Sequence, residues 1–287
     1  MRYLEILREF EEFLQSYPIE MEGFHPVFAK AFWEMLKNGG KRFRPALLFA
    51  VVCSQNFSLA KNAFLPALAL ECLHTYSLIH DDLPCMDDAS LRRGYPTLHR
   101  SYDEVTATLV GDGLNTFSFY LLTKAHLDPS TRLRLIEMLS HYGGIGGMVI
   151  GQAMDCYFEN QHLEIEKLYA IHLNKTAKLI ATSLCMGGVI ANLPDGELRN
   201  LWDFGMDLGI FFQVRDDIID RVENAQSVGK TTNNDYNKNS YVNLLGLSGA
   251  REEQRRLKAL IVERLFAFPP LLQENLKVLL QKYFEEK

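Results

Sequence analysis

Cysteine, tryptophan and long apolar runs are all scarce in this chain of 287 residues, which holds five Cys and two Trp. No uninterrupted apolar stretch approaches the ~18 residues that a bilayer crossing needs, so a membrane span is not expected. The five cysteines, Cys53, Cys72, Cys85, Cys156 and Cys185, are odd in number and widely spaced. That argues against a disulfide framework and predicts small core residues in a reducing compartment. Excess positive charge is also missing: 30 Lys and Arg stand against 36 Asp and Glu, a net charge of −6. With no block of basic residues, a protein that grips nucleic acid by neutralising phosphates is excluded. The opening residues, Met1 to Glu9, are charged throughout and lack the apolar core of a signal peptide. A cytoplasmic protein is expected. Alternation of β-branched residues, the mark of strands, is rare as well.

What is present is helical spacing. Ile6, Leu7, Phe10, Phe13, Leu14 and Tyr17 at the start, and Leu272, Leu276, Leu279, Leu280 and Tyr283 at the end, recur with the period of one helix face. With 47% hydrophobic residues the chain can bury a large core. Stretches 101–126, 131–158 and 163–191 are long and mostly apolar, as expected for helices in the middle of a large bundle. No linker or fixed-period repeat divides the sequence. The expectation is therefore an all-α protein, one domain over residues 1–287, with about ten or more helices. Gly143, Gly147 and Gly151 recur every four residues and predict a helix face that packs closely on a neighbour, or one that clears room for a ligand.

Three constellations carry chemistry. In 78–88, Asp81, Asp82, Asp87 and Asp88 follow an apolar helix, and Pro84 interrupts helical hydrogen bonding so that the later carboxylates can turn back toward Asp81. Carboxylates so close repel one another unless a cation neutralises them. In 211–220, Asp216 and Asp220 stand four apart on one helix face, with Asp217 beside them. Two such clusters of hard oxygen donors point to a divalent cation, Mg²⁺ by ligand type. The third is 38–45, a glycine turn with Lys41, Arg42 and Arg44 leading into a helix expected to start at Pro45, an arrangement suited to phosphate. Arg92 and Arg93 follow the first acidic cluster, and Lys175, Lys230 and Lys238 add further cations. Together with the apolar helices behind them, these residues imply an amphiphilic substrate with a diphosphate head and a hydrocarbon tail.

Two other patterns compete. Residues 224–231 fall one glycine short of a phosphate-binding P-loop, which would also need a preceding strand where a helix is expected. Glu71 with His74 and Glu159 with His162 repeat the spacing of a di-iron helical bundle. That bundle needs single glutamates from two further helices, and it leaves the aspartates and arginines without a role.

The ordered motifs, Gly39 to Pro45, Asp81-Asp82 with Asp87 and Arg92-Arg93, Gly151-Gln152 with Asp155, Lys175-Thr176, and Phe212 to Asp220, resemble the trans-isoprenyl diphosphate synthases, most closely the short-chain bacterial members that make farnesyl diphosphate. The resemblance implies an isoprenoid-synthase bundle around a central apolar cavity and a homodimer. It implies a prenyltransferase of isoprenoid biosynthesis that condenses isopentenyl diphosphate with dimethylallyl or geranyl diphosphate. Three Mg²⁺ ions per site are implied, held by Asp81, Asp82 and Asp87 and by Asp216 and Asp220. Lys41, Arg44, His74 and Arg93 would bind isopentenyl diphosphate; Arg92, Lys175, Thr176, Gln213, Lys230 and Lys238 would surround the allylic diphosphate. Asp81, Asp82, Arg92, Lys175, Asp216 and Lys230 would carry the catalysis. Tyr76 and Ser77, five and four residues before Asp81, would set the floor of the pocket and favour farnesyl over longer products. Geranyl or geranylgeranyl diphosphate synthesis, or a non-catalytic partner subunit, are the alternatives within the same fold. The chain departs from the family between Asn233 and Tyr241, which is two residues shorter and has neither of the usual glycines.

Overall fold

The computed structural model describes residues 2–18, 21–23, 25–227 and 239–284. The described chain is almost entirely helical: α1 (Arg2–Ser16), α2 (Phe28–Lys37), α3 (Phe43–Gln55), α4 (Phe64–Asp81), α5 (Leu98–Ser101), α6 (Glu104–Lys124), α7 (Pro129–Gly143), α8 (Met148–Tyr157), α9 (Ile165–His172), α10 (Lys178–Ile190), α11 (Asp195–Ser227), α12 (Tyr241–Phe266) and α13 (Pro270–Phe284). The all-α expectation holds. The exception is a two-residue hairpin, β1 (Leu91–Arg92) with β2 (Tyr95–Pro96). No described helix is long and apolar enough to cross a membrane.

The helices fall into two compact units, residues 1–137 with 189–192, and residues 138–188 with 193–287. In the first, α4 is buried on nearly every face: Leu68, Leu70 and Leu73 lie inside together with Ala67 and Ala69. Each leucine contributes roughly 2 kcal/mol by leaving water. Its apolar sequence admits one acid before its last residue, Glu71, and that residue is only 2% exposed. Helix α6 packs along α4, and its register depends on Gly111, where a Cβ would collide with the imidazole of His80. The His80 ring fills that space, and its Nε2 lies 3.1 Å from the Thr108 carbonyl in a hydrogen bond. Asp103 caps α6 by accepting the Thr106 amide at 2.6 Å.

In the second unit, α11 packs on α12, with Phe204, Leu208 and Phe211 buried. Helix α12 bends at Gly246, whose φ of 70° only glycine adopts without strain. Two expectations change here. The stretch 131–158 is broken, because residues 144–147 form a turn between α7 and α8 instead of a glycine-faced helix. Gly151 has the close-packing role toward another element, since a Cβ there would collide with the backbone of Lys175, whereas a Cβ at Gly147 would meet only the preceding turn at Tyr142. The stretch 163–191 is interrupted as well, by a π-helical turn at Leu173–Ala177 between α9 and α10. Nor are all the cysteines core residues: Cys53, Cys72 and Cys185 are buried, but Cys85 and Cys156 are exposed.

Candidate active site

In the first unit, α4 ends at Asp81 and the chain folds back on itself. The Asp87 amide donates to the Asp81 carbonyl at 2.9 Å, Asp88 to Leu83 at 3.1 Å and Ala89 to Asp82 at 3.2 Å. This is the return that Pro84 predicts, and it carries Asp87 to an exposed position on the loop. Asp82 points inward and is 1% exposed. Arg92 donates to its Oδ1 from Nε at 2.9 Å and from Nη2 at 2.5 Å. Its Oδ2 is buried with no hydrogen-bond partner among the described residues. Burial pushes the Asp82 carboxyl up, against the opposing pull of Arg92. The hairpin explains why Arg92 reaches it: Arg93 (φ 55°) and Gly94 (φ 83°) form the tight turn between β1 and β2.

The glycine turn at 38–45 builds a second feature of this unit. Helix α3 begins at Phe43, two residues earlier than expected, because Arg42 takes a left-handed conformation just before it. Arg42 does not face an anion site. It donates to Glu11 at 2.9 Å, to Glu71 at 3.1 Å and to the Leu36 carbonyl at 2.6 Å. Glu71 also draws Arg93 to 3.7 Å, so one buried carboxylate anchors two guanidinium groups. Arg93 Nη1 in turn donates to the Met35 and Gly39 carbonyls, both at 3.2 Å. Arg44 has a buried Nε without a partner among the described residues, and burial lowers its pKa to about 10. The His74 imidazole is held well below the usual histidine range, first by burial and then by the charges of Arg44, Arg93, Arg92 and Arg42. His74 is therefore neutral near pH 7. Lys41 is exposed.

Tyr76 is buried on α4, and its ring meets that of His80 edge-on at 5.7 Å. Burial pushes its hydroxyl up to about 12. Ser77 donates to the His74 carbonyl at 2.8 Å.

In the second unit, the π-turn carries Lys175 and Thr176. Lys175 Nζ meets Asp155 Oδ2 at 2.7 Å, joining α8 to the turn across the gap that Gly151 leaves open. Such turns are found often at functional sites because they re-aim side chains within a helix. On α11, Asp216 and Asp220 are exposed and share a face, as their spacing predicts. Asp217 turns the other way. Its Oδ2 accepts the Tyr241 amide at 2.7 Å, and burial together with Asp220, Asp216 and Asp155 pushes its carboxyl up to about 7. Gln213 lies one turn before them, half-buried. His172 packs edge-on against Tyr241 at 5.5 Å, and burial lowers its pKa to about 4.

Among the described residues no three His, Cys, Asp or Glu side chains close into a ready-made metal cage. The donor chemistry nonetheless fits a hard divalent ion that keeps part of its water shell. Asp82 has a buried oxygen without a donor, and the acids around Asp217 raise its cost of ionisation. Lys230 and Lys238 lie outside the described residues. Sequence reasoning missed the work of Glu71 and Arg42, and a lone acid inside the apolar run of α4 was the available signal. Glu71 is committed to two arginines, which leaves the di-iron pattern of Glu71 with His74 without its glutamate.

The polyprenyl synthetase family model matches residues 25–267. The chain is similar to the farnesyl diphosphate synthase of Bacillus subtilis, 43% identical over 223 residues, which are 76% of this chain and 75% of that protein. It is 38% identical to the farnesyl diphosphate synthase of Micrococcus luteus over 265 residues, 90% of this chain and 89% of the other. Its fold superposes on the crystal structure of a geranyltransferase from Helicobacter pylori complexed with magnesium and isoprenyl diphosphate. That match has a TM-score of 0.92 and 50% identity, and it covers 99% of this chain and 97% of the other. By the extent of these matches and by the ordered motifs they span, the chain belongs to the polyprenyl synthetase family.

Proposed function

We infer that this chain is a prenyltransferase that condenses isopentenyl diphosphate with dimethylallyl or geranyl diphosphate and releases farnesyl diphosphate and inorganic diphosphate. The observation that carries the reading is the arginine cluster fixed by buried Glu71, with Arg44 Nε buried and unpartnered among the described residues, in a chain of this family that also holds both aspartate motifs. Arg44 and Arg93 supply charge for the diphosphate of isopentenyl diphosphate, and Lys41 adds a third cation at the exposed edge. His74, whose charging burial and the neighbouring arginines oppose, orients that diphosphate as a hydrogen-bond donor.

Asp81, Asp82 and Asp87, with Asp216 and Asp220, would hold the Mg²⁺ ions, three of them in this reading. Bound there, Mg²⁺ supplies positive charge to the leaving diphosphate. Arg92, Lys175, Thr176 and Gln213, with Lys230 and Lys238, would surround the allylic diphosphate and favour cleavage of its carbon–oxygen bond. The allylic cation so formed is attacked by the double bond of isopentenyl diphosphate, and loss of one proton completes a chain five carbons longer. A central apolar cavity keeps water from quenching the cation. Tyr76 and Ser77 set its depth. The whole chain works as one domain, in the cytoplasm and as a homodimer.

Purified protein incubated with Mg²⁺, isopentenyl diphosphate and geranyl diphosphate should release diphosphate and form farnesyl diphosphate. Folded protein that yields neither overturns the reading and points to a partner subunit. A geranyl or geranylgeranyl product corrects only the chain length. Tyr76→Ala should lengthen the product, and an unchanged product removes Tyr76 as the floor.

A further inference from the structure

Beside the second aspartate motif, which lends it Phe211, Arg215, Ile218 and Ile219, the second unit holds a groove of about 250 Å³ between α11, α12 and α13. Among the described residues its walls carry four cations, Arg215, Arg251, Arg255 and Lys258, and no acid. Its floor is aromatic: Phe284 meets Phe211 edge-on at 5.3 Å, and Tyr283 lies beneath Arg215, whose guanidinium carbon is 5.6 Å from the ring centre. Arg215 is held there with 12% of its side chain exposed, beside Asp216 at 3.6 Å. Lys258 Nζ donates to the Phe284 carbonyl at 2.6 Å, fixing the end of α13 to α12. Arg251 and Arg255 have no ion-pair or hydrogen-bond partner among the described residues, although Glu252, Glu253 and Glu263 lie on the same helix. Four like charges gathered in one depression repel one another, and a bound anion relieves that repulsion.

The size and chemistry of the groove narrow the anion. At about 250 Å³ it is smaller than pockets that enclose a whole organic ligand, which are roughly 300–1,000 Å³. Guanidinium forks favour phosphate oxygens in paired hydrogen bonds, and several cations favour an anion of more than one charge. We propose that this groove binds a compact polyvalent phosphoanion, a diphosphate group, held by the cations of α11 and α12 and not by the aspartate carboxylates. Free inorganic diphosphate and the diphosphate of a nucleotide share that chemistry.

The test is calorimetric titration of the full-length protein in EDTA, which removes any metal-linked binding and so keeps the result independent of the proposed reaction. Inorganic diphosphate, inorganic phosphate, ADP and sulfate at matched ionic strength are compared. Arg251→Gln with Arg255→Gln should weaken one diphosphate-binding component at least tenfold, whereas Arg93→Gln leaves that component in place. Both arginines are exposed, so circular dichroism of the double variant should match the parent. If it does not, Arg255→Gln alone should still weaken binding about threefold or more. Binding of ADP more tightly than diphosphate assigns the anion to a nucleotide, and the reverse order to free diphosphate. A double variant that titrates like the parent, or sulfate that binds as well as diphosphate, overturns the proposal.

Discussion

Asp82 and Asp217 are both the second residue of an Asp-Asp pair in or just after an apolar helical run, and the protein treats them differently. Asp82 is almost completely buried and receives two bonds from one guanidinium. Asp217 is half-buried, receives a neutral amide from Tyr241, and has three other carboxylates as its named charged neighbours. Burial raises both pKa values, and the Asp217 carboxyl is pushed up to about 7. Burial is the first cause at both sites, and the two differ besides in their counter-charge. In the first unit the chain supplies its own cation, Arg92. In the second, Lys175 meets Asp155 and Arg215 lies near Asp216, while the acids Asp220, Asp216 and Asp155 raise the Asp217 carboxyl. A carboxylate cluster of the second kind gains more from an external cation.

The largest expected effect tests what the two clusters share. Asp81→Asn or Asp216→Asn should lower turnover at least ~100-fold while the fold is retained, the scale of losing one electrostatic group in a transition state. Steady-state kinetics beside a far-UV spectrum reads this, and near-normal turnover in either variant would remove that cluster from the reaction. Next is the guanidinium. Arg92→Leu leaves Asp82 buried without its partner and should cost about 2 kcal/mol of stability in urea unfolding at pH 7.5, less than a fully buried pair because Arg92 is partly exposed. An unfolding midpoint of Arg92→Leu equal to that of the parent would show that this pair is not what tolerates the buried charge.

Asp217→Asn should act in the opposite direction. A carboxyl whose pKa rises from 3.8 to about 7 on folding binds its proton more tightly in the native state, so its contribution falls as pH rises from about 4 through 7. Replacing it with the neutral amide should therefore help more at pH 8 than at pH 5, by about 2 kcal/mol. A gain that does not change with pH would show that neither burial nor the neighbouring acids oppose its charge. The smallest effect belongs to His172, whose pKa falls from 6.5 to about 4 on folding. Its neutral form is required inside, so its contribution is complete above pH 6.5 and is lost as pH falls toward 4. The stability deficit of His172→Gln against the parent should shrink by roughly 1.5 kcal/mol between pH 7.5 and pH 5. A constant deficit would place His172 in contact with water.

Much of the local structure is legible in the sequence because it follows from nearest neighbours along the chain. The period of Ile6, Phe10 and Leu14 specifies the buried face of α1, Pro84 specifies the break after α4, and the four-residue interval places Asp216 and Asp220 on one face. The π-turn at Leu173–Ala177 is not legible in this way. It sits where Lys175 packs against Gly151, a residue of a different helix. The same holds for the glycines at 143–147, whose period of four fits a helix but whose backbone freedom permits a turn.

The sequence by itself determined the helical class, the family motifs and the kind of chemistry, because helical periodicity and the spacing of carboxylates are properties of the linear chain. Only the tertiary structure decided how the charges pair. Arg42 reads as a phosphate ligand in sequence, but folding commits it to Glu11 and Glu71. Asp82 and Asp217 read alike, but a guanidinium brought in by the hairpin separates their electrostatics. Charge pairing acts through space and depends on burial, so it is fixed by which elements meet and not by the order of residues.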